Sequence, residues 1–388
     1  MAKDQAPSSI RLPPSRVENM IKNLTRNEML SWLCEKDPVK LEELFREARA
    51  CAVRHVGSKV YFRGLIEFSN RCIKDCYYCG IRKSNPNVAR FEMSENEILE
   101  CAKTACEMDY GSIVLQSGER SDKDYVCSME DILRKIKSAT SGKIGITLSL
   151  GEQTGDTYER WFKAGAHRYL LRIETSSPAL YKRLHPGSHS FETRLECLRD
   201  LRKIGYQVGT GVMIGLPFQT HEDLVEDILF FKQEDIDMIG MGPYVPHADT
   251  PLGTLQTPGV CSQRKHPVFA GGYDPAENLR LGLVMVALTR LFLQDVNIAA
   301  ATALQALDPG GREKGVQAGA NIIMPNITPT DYRKSYQLYD NKPCLDENAR
   351  QCKSCLEHRI RAAGAEIGYG EWGDSKHFLK REKCKNNI

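Results

Sequence analysis

The sequence predicts an α/β chain folded as a (β/α)8 barrel of the TIM type, complete or nearly complete, behind a helical N-terminal extension. Three observations predict it. Short runs rich in β-branched and aromatic residues alternate with amphipathic helical runs between residues 60 and 324. Seven or eight such units follow one another, which favours a closed parallel barrel over an open doubly wound sheet. The chain has 388 residues, 41% hydrophobic and 27% charged, so it has the core material for a barrel of this size.

The elements follow in order. Residues 60–68 read as the first strand from their β-branched and aromatic content. A helix over 95–108 is introduced by Ser94 with Glu97 three positions later, a capping box. Strands at 112–116, 144–148 and 168–173 alternate with helices at 129–139 and 155–164. Helix 191–204, strand 207–213, helix 221–233 and strand 238–241 continue the rhythm. In the helix over 276–294, Leu281, Val284, Leu288 and Leu291 recur at 3–4 spacing and define one buried face. Strand 297–300 and a last unit, 315–318 then 321–324, close the series. The expected divisions are a helical extension over 1–55, broken at Pro13–Pro14 and Pro38, the barrel over 56–330, and a C-terminal segment over 331–388.

Composition excludes several classes. The 53 basic and 50 acidic side chains leave a formal charge of +3, which gives no electrostatic reason to expect nucleic acid or an anionic membrane as partner. The best apolar run, 281–289, is stopped by Arg290, well short of a membrane span. The N-terminal region carries Asp4, Pro7, Pro13 and Pro14 and no apolar stretch of the secretory kind, so a cytoplasmic location is expected.

Fourteen cysteines are out of proportion for such a chain. Without an export signal, metal ligation or thiol chemistry is the better expectation than disulfides. Cys72, Cys76 and Cys79 form C-x3-C-x2-C on the loop after the first strand. Structural zinc usually takes four ligands, arriving as two separated pairs. Three closely spaced thiolates without a nearby fourth suit a 4Fe–4S cluster with one iron open, zinc being the alternative. Cys344, Cys352 and Cys355 form C-x7-C-x2-C near the end of the chain. They suit a second iron–sulfur cluster, 2Fe–2S or 4Fe–4S, against a zinc site completed by His358 or Cys384. Cys101 and Cys106 are five apart on one helix and share no face; with Cys34, Cys51, Cys127, Cys197 and Cys261 they read as small hydrophobes or bystanders.

C-x3-C-x2-C after the first strand, with Tyr78 just before the last cysteine, resembles the radical S-adenosylmethionine superfamily. The resemblance implies that Cys72, Cys76 and Cys79 hold three irons, the fourth being chelated by the amino and carboxylate groups of S-adenosylmethionine, with Tyr78 near the adenine. Several segments narrow it to the FeFe-hydrogenase maturases of the biotin synthase-like branch: LQSGE at 115–119, RYLLRIETSS at 168–177, SFETRLECL at 190–198, ATAL at 301–304, DPGGRE at 308–313 and GANIIMPN at 319–326. What this implies is reductive cleavage of S-adenosylmethionine to a 5′-deoxyadenosyl radical. That radical would act on a small organometallic substrate, a cysteine-bound iron carbonyl–cyanide precursor, during assembly of the two-iron subcluster of the H-cluster. Other hydrogenase maturases and a low-potential electron donor are the implied partners. The lumen must exclude water and oxygen, and closure by the N-terminal extension is expected to do this. Methylornithine synthase-like or biotin synthase-like chemistry, and a non-catalytic iron-precursor carrier, are the alternatives.

Polar groups at strand ends supply candidates for this site. Gln116 and Ser117 either form a turn or, as the resemblance implies, receive the methionine amino group. Arg168, Leu170, Arg172 and Glu174 share one side of a strand by period 2, where charged groups need partners or a ligand. One reading is a structural ion-pair network. The other makes Glu174 a ribose or amino acceptor and Arg172 a clamp on an anion. Arg194 is either an exposed helical arginine or the bidentate partner of the methionine carboxylate. Arg172, Thr302 and Tyr339 are the candidate precursor contacts. Ala301 stands where the family can carry a second threonine, which removes one hydroxyl from the pocket. His247 and Asp249 lie on a proline-rich loop, where a lone histidine is more often structural. Gly209–Pro217 has the family's terminal G-x-P turn and lacks a dinucleotide fingerprint.

Overall fold

The computed structural model describes residues 24–255 and 272–386. Pro13–Pro14, Cys261 and the first part of the expected N-terminal extension lie outside the described residues. The strands are β1 (Lys59–Ser69), β2 (Ser112–Ser117), β3 (Gly145–Ser149), β4 (Arg168–Leu170), β5 (Gln207–Thr210), β6 (Met213–Ile214), β7 (Met238–Ile239), β8 (Gly242–Pro243), β9 (Asn297–Ile298), β10 (Ile322–Ile323) and β11 (Glu366–Ile367). All pairings are parallel, in the order β10-β1-β2-β3-β4-β5-β7-β9, with β11 beside β1 and β6 beside β8. The ring is closed between its ends: Asn321 N–H donates to Ile298 O and Ala300 N–H to Ile322 O, both 2.9 Å, around the Ala299–Ile322 bridge. The fold is therefore a (β/α)8 barrel, as the alternation requires.

Local signals place most elements where expected. Helix Glu95–Glu107 has the full Ser94/Glu97 capping box. Helices Phe191–Ile204 and His221–Gln233 match their expected bounds. The helix expected over 129–139 begins earlier, at Lys123, because the Asp122 carboxylate accepts from Tyr125 N–H and caps an extra turn. Strand 207–213 is split into β5 and β6, and strand 168–173 ends at Leu170. Between the breaks the Thr210 hydroxyl stands in for the ladder, accepting from Ile173 N–H at 3.0 Å and donating to Leu171 O at 2.8 Å, and pairing resumes at the Glu174–Val212 bridge, with Glu174 at φ +69°. A short helix, Pro178–Leu184, follows, with Ser177 as cap and Pro178 at its first position.

Helix Pro275–Leu293 is buried on all sides from Leu281 to Leu291, not on one face. The reason is the N-terminal extension: helices Arg26–Cys34 and Pro38–Val56 pack across its outer surface. This corrects the expectation that the described extension caps the lumen; it thickens the barrel's flank. Arg290, fully buried at that helix's end, donates to Gly319 O, Gln294 O, Val296 O and Asn321 Oδ1 at 2.6–3.1 Å and so ties down the seam between β9 and β10.

The barrel's N-terminal face is closed by the far end of the chain. Arg168 donates to Trp372 O at 3.0 and 3.1 Å and to Asp374 at 2.9 Å. Arg63 and Asn297 donate to Gly373 O at 3.0 and 2.8 Å, and Gln207 donates to Asp374 at 2.7 Å. Arg168 thus takes the ion-pair reading: it is fully buried and paired below the sheet.

Candidate active site

At the opposite face a cavity of ≈ 310 Å3 opens above the C-terminal strand ends, within the usual range for a small-molecule site. Its walls bring together residues from nearly every strand end, among them Cys72, Cys76, Cys79, Gln116, Glu174 and Thr302.

The cysteine loop leaves β1 at Ser69 and is held by backbone bonds rather than by regular structure. Ile73 N–H donates to Glu119 O at 2.9 Å, Tyr77 N–H to Leu184 O at 2.9 Å and Gly80 N–H to Leu338 O at 3.0 Å. Arg90 gathers the loop's carbonyls, donating to Asn70 O at 2.7 Å and Ile81 O at 2.8 Å. Glu119 N–H points at Cys72 Sγ, 3.3 Å away, a donor suited to a sulfur that carries charge. A Cβ on Gly118 would stand 2.4 Å from Arg71 O and 2.7 Å from Cys72 Cβ, so only glycine lets β2 approach the loop so closely. Burial pushes all three thiols up, Cys76 to about 12 and Cys79 well above the usual thiol value. Thiolates in this dry pocket therefore need a cation to hold them.

The three sulfurs fit a cluster better than a single ion. Tetrahedral zinc with Zn–S near 2.3 Å needs its sulfurs about 3.8 Å apart. Among the described residues the only group of metal-type ligand atoms mutually within 4.8 Å is Cys76, His185 and His189, so neither cysteine triad converges on one ion.

Behind the loop lies a charge network that period-based reading does not reach. Lys74 sits 2.6 Å from Glu152 and 3.3 Å from Glu119, and Arg194 Nε donates to Glu152 at 2.7 Å. Arg194 also donates to Arg172 O at 3.0 Å. It is buried at the cavity wall, not exposed on its helix. Burial and the neighbouring Glu152 charge raise Glu119, whereas Arg194 and Lys74 outweigh burial and hold Glu152 below the usual carboxylate range. Glu174 Oε2 pairs with Arg172 at 3.1 Å and has no further hydrogen bond, and the buried Tyr244 hydroxyl has no hydrogen bond. Both atoms belong to residues of the cavity wall, where polar ligand groups would satisfy them.

Tyr78 lines the cavity with its hydroxyl 3.2 Å from His185 Nε2. Gln116 donates to the Tyr336 hydroxyl at 3.2 Å. Ser117 gives its hydroxyl to Gly118 O at 2.7 Å and meets Tyr125 at 2.8 Å, so its backbone is what it offers the cavity. Thr302 accepts from Arg312 at 3.2 Å, and Tyr339 completes that wall. His247 receives the backbone N–H of Asp249 at 3.1 Å and braces its loop, the structural role. Cys352 and Cys355 lie one turn apart on helix Ala349–Ala362 with Cys344, at φ +63°, hydrogen-bonded to Cys352. Cys355 is exposed and contacts Arg359.

The sequence reading missed Lys74, Glu152, Glu67, Tyr336 and Lys342, all of them near or on the cavity wall. Lys342 Nζ bonds both oxygens of Glu67 at 2.5 and 2.7 Å and Tyr336 O at 2.8 Å, fastening the C-terminal segment across the barrel mouth. Partners so far apart in the chain leave no local signal. Lys74 alone was findable, since it sits inside the cysteine motif.

A family model described as the Radical SAM superfamily matches residues 66–231. The [FeFe] hydrogenase maturase subunit HydE of Thermotoga maritima is 43% identical over 360 residues, covering 92% of this chain and 96% of that relative. The 3-methylornithine synthase of Methanosarcina acetivorans is 25% identical over 346 residues, 88% of this chain and 90% of the relative. Two solved structures share the fold. Methylornithine synthase (PylB) superposes with a TM-score of 0.74 at 24% identity, covering 91% of this chain and 97% of its own. The maturase HydG from Carboxydothermus hydrogenoformans gives 0.74 at 21% identity, covering 93% and 80%.

The chain belongs to the radical SAM superfamily, whose members carry a 4Fe–4S cluster and use S-adenosylmethionine. It is a radical SAM enzyme and, within that class, a homologue of HydE. Among the described residues no helix is long and apolar enough to cross a membrane.

Proposed function

We propose that the enzyme acts on a cysteine-bound iron carbonyl–cyanide precursor during assembly of the two-iron subcluster of FeFe-hydrogenase. One observation carries the reading: Arg172, Thr302 and Tyr339 line the same cavity as the three thiols, so an anionic substrate seated on them shares that cavity with the cysteine loop. HydE-level identity over nearly the whole of both chains supports it. When bound, the cluster supplies the electron that breaks the sulfonium C–S bond of S-adenosylmethionine.

The chain's own residues do the rest. Cys72, Cys76 and Cys79 hold the irons, and Glu119 N–H supports the Cys72 sulfur. Tyr78 lies beside the adenine, and Gln116 with the Ser117 backbone meets the methionine amino group. Glu174, whose Oε2 is paired with Arg172 but takes no hydrogen bond, accepts from the ribose. Arg194 shares itself between Glu152 and the methionine carboxylate. Arg172 and Thr302 orient the precursor, and apolar Leu65, Leu170 and Met324 keep water from it. The partners in this reading are other hydrogenase maturases and a low-potential electron donor, and the working compartment is the cytoplasm. Cys344, Cys352 and Cys355 take a second iron–sulfur cluster, 2Fe–2S or 4Fe–4S. Iron bound by a Cys72/Cys76/Cys79→Ser triple variant measures it, and zinc in its place overturns it.

The test is anaerobic. The reconstituted, reduced enzyme is given S-adenosylmethionine, and 5′-deoxyadenosine is quantified beside hydrogenase activation in a maturation mixture. Cys76→Ser abolishes both. Arg172→Ala retains S-adenosylmethionine cleavage and loses activation; equal loss of both rejects the substrate role of Arg172. Conversion of lysine to 3-methylornithine rejects the maturase reading in favour of the sibling chemistry.

A further inference from the structure

Cys76, His185 and His189 place their ligand atoms within 4.8 Å of one another, the span of one coordination sphere. Cys76 Sγ and His189 Nδ1 are 3.9 Å apart. A tetrahedral ion with metal–sulfur and metal–nitrogen bonds of ~2.3 and ~2.05 Å separates such a pair by about 3.6 Å, so a shift of a few tenths of an ångström closes the site.

The surroundings are those of a built ligand set. His185 Nδ1 is 2.9 Å from Tyr181 O, so it carries the proton and donates to the carbonyl, leaving Nε2 as the ring's acceptor. Metal-ligating histidines characteristically fix their other nitrogen in this way. The ring is further locked by stacking on Tyr181, with centroids 4.0 Å apart and planes at 26°. His185 Nε2 meets the Tyr78 hydroxyl at 3.2 Å, and that proton can rotate away. His185 ends helix Pro178–Leu184, and the turn closed by His189 N–H to Pro186 O at 3.0 Å brings His189 back beside it. The two ring centroids are 5.4 Å apart.

We propose that Cys76, His185 and His189 form a mononuclear site for a borderline divalent cation, ferrous or zinc, filled when the three-thiol cluster is not assembled. One thiolate and two neutral imidazoles are the donor set such ions prefer. Binding releases the Cys76 thiol proton to solvent and changes no oxidation state. Because Cys76 serves both centres, the single ion and the cluster exclude each other. Zinc in the site blocks cluster assembly, and ferrous iron there is held beside the triad. The competition, though not the site itself, rests on reading Cys76 as a cluster ligand.

Cobalt(II) is the probe, titrated anaerobically into the full-length chain freed of iron. The expected result is about one cobalt per chain, with a sulfur-to-cobalt charge-transfer band. Cys76→Ser abolishes the band, His189→Ala weakens binding roughly 10–100-fold, and Cys72→Ser and Cys79→Ser leave the band intact. Zinc preloading slows cluster reconstitution in wild type and not in the His185→Ala/His189→Ala variant. No cobalt uptake, a band that survives in that double variant, or a band that requires Cys72 and Cys79 overturns the proposal. The 4Fe–4S absorbance of zinc-free wild type after iron and sulfide treatment tests the cluster separately.

Discussion

The Asp227 carboxylate accepts two hydrogen bonds from Ser176, one from its N–H at 2.6 Å and one from its hydroxyl at 2.7 Å. Helix His221–Gln233 thereby holds the backbone two residues beyond Glu174, which has φ +69° and bridges Val212. Asp227 is fully buried, its Oδ2 has no hydrogen bond, and burial raises its pKa to about 7. A carboxyl raised in the fold binds its proton more tightly there than in the unfolded chain, where its pKa is about 3.9. Its contribution to stability is therefore full below pH ~4 and is lost as pH rises through 7. Asp227→Asn keeps an acceptor for Ser176 and removes the ionisation. Thermal melts at pH 5 and pH 8 are expected to differ less for Asp227→Asn than for wild type; equal differences refute the assignment.

His377 at the start of helix Lys376–Asn386 behaves in the same sense from the opposite charge type. Hydrogen bonds to Asp235 at 2.5 Å and Asp295 at 3.1 Å raise it to about 9. A base raised in the fold stabilises fully below its unfolded pKa of about 6.5, and that stability disappears as pH rises through 9. His377→Gln is expected to cost about 1 kcal/mol at pH 6, discounted for partial exposure, and close to nothing at pH 10. Urea unfolding at the two pH values measures it, and a pH-independent loss contradicts it.

Gly118 sets how closely β2 approaches the cysteine loop. The methyl group of Gly118→Ala meets Arg71 O and Cys72 Cβ, and relieving the overlap costs about 1–3 kcal/mol. The expected outcome is a folded protein with reduced 4Fe–4S content after reconstitution. Wild-type iron content in this variant would show that the loop yields without losing its ligand geometry.

Arg194 and Glu152 form a buried pair at 2.7 Å, with Lys74 on the carboxylate's other oxygen. Arg194→Ala removes the guanidinium proposed to bind the methionine carboxylate, and loss of a charge-assisted bond worth ~1.5–3 kcal/mol weakens S-adenosylmethionine binding about 10–150-fold. Glu152→Gln keeps the arginine and is expected to weaken binding far less. Equilibrium dialysis of the two cluster-loaded variants decides; equal losses make Arg194 a structural partner of Glu152 only.

The elements that were legible share a feature. Ser94 with Glu97 and the short apolar runs of β2 and β3 are signals satisfied within a few residues. The cysteine loop was legible for the same reason, its ligands being seven positions apart at most. Helix Pro178–Leu184 carried a readable cap and proline, yet its neighbouring strand pattern obscured it. Arg168 shows where period 2 stops helping. Alternation puts it on one side with Arg172 and Glu174, but β4 ends at Leu170; Arg168 pairs with Asp374 below the sheet while the other two line the cavity above.

The sequence by itself determined the barrel's rhythm, the three thiols after the first strand, and most of the polar residues at strand ends, because these depend on short-range periodicity and spacing. Only the tertiary structure decided that Lys342 crosses 275 positions to clasp Glu67, and that residues 370–375 rather than the N-terminal helices close the barrel floor. It also decided that Glu152 joins Lys74 to Arg194. The physical reason is that closing a parallel barrel brings together chain segments of arbitrary separation. Buried charges then choose partners by the cost of remaining unpaired in a dry interior, a cost that no local pattern records.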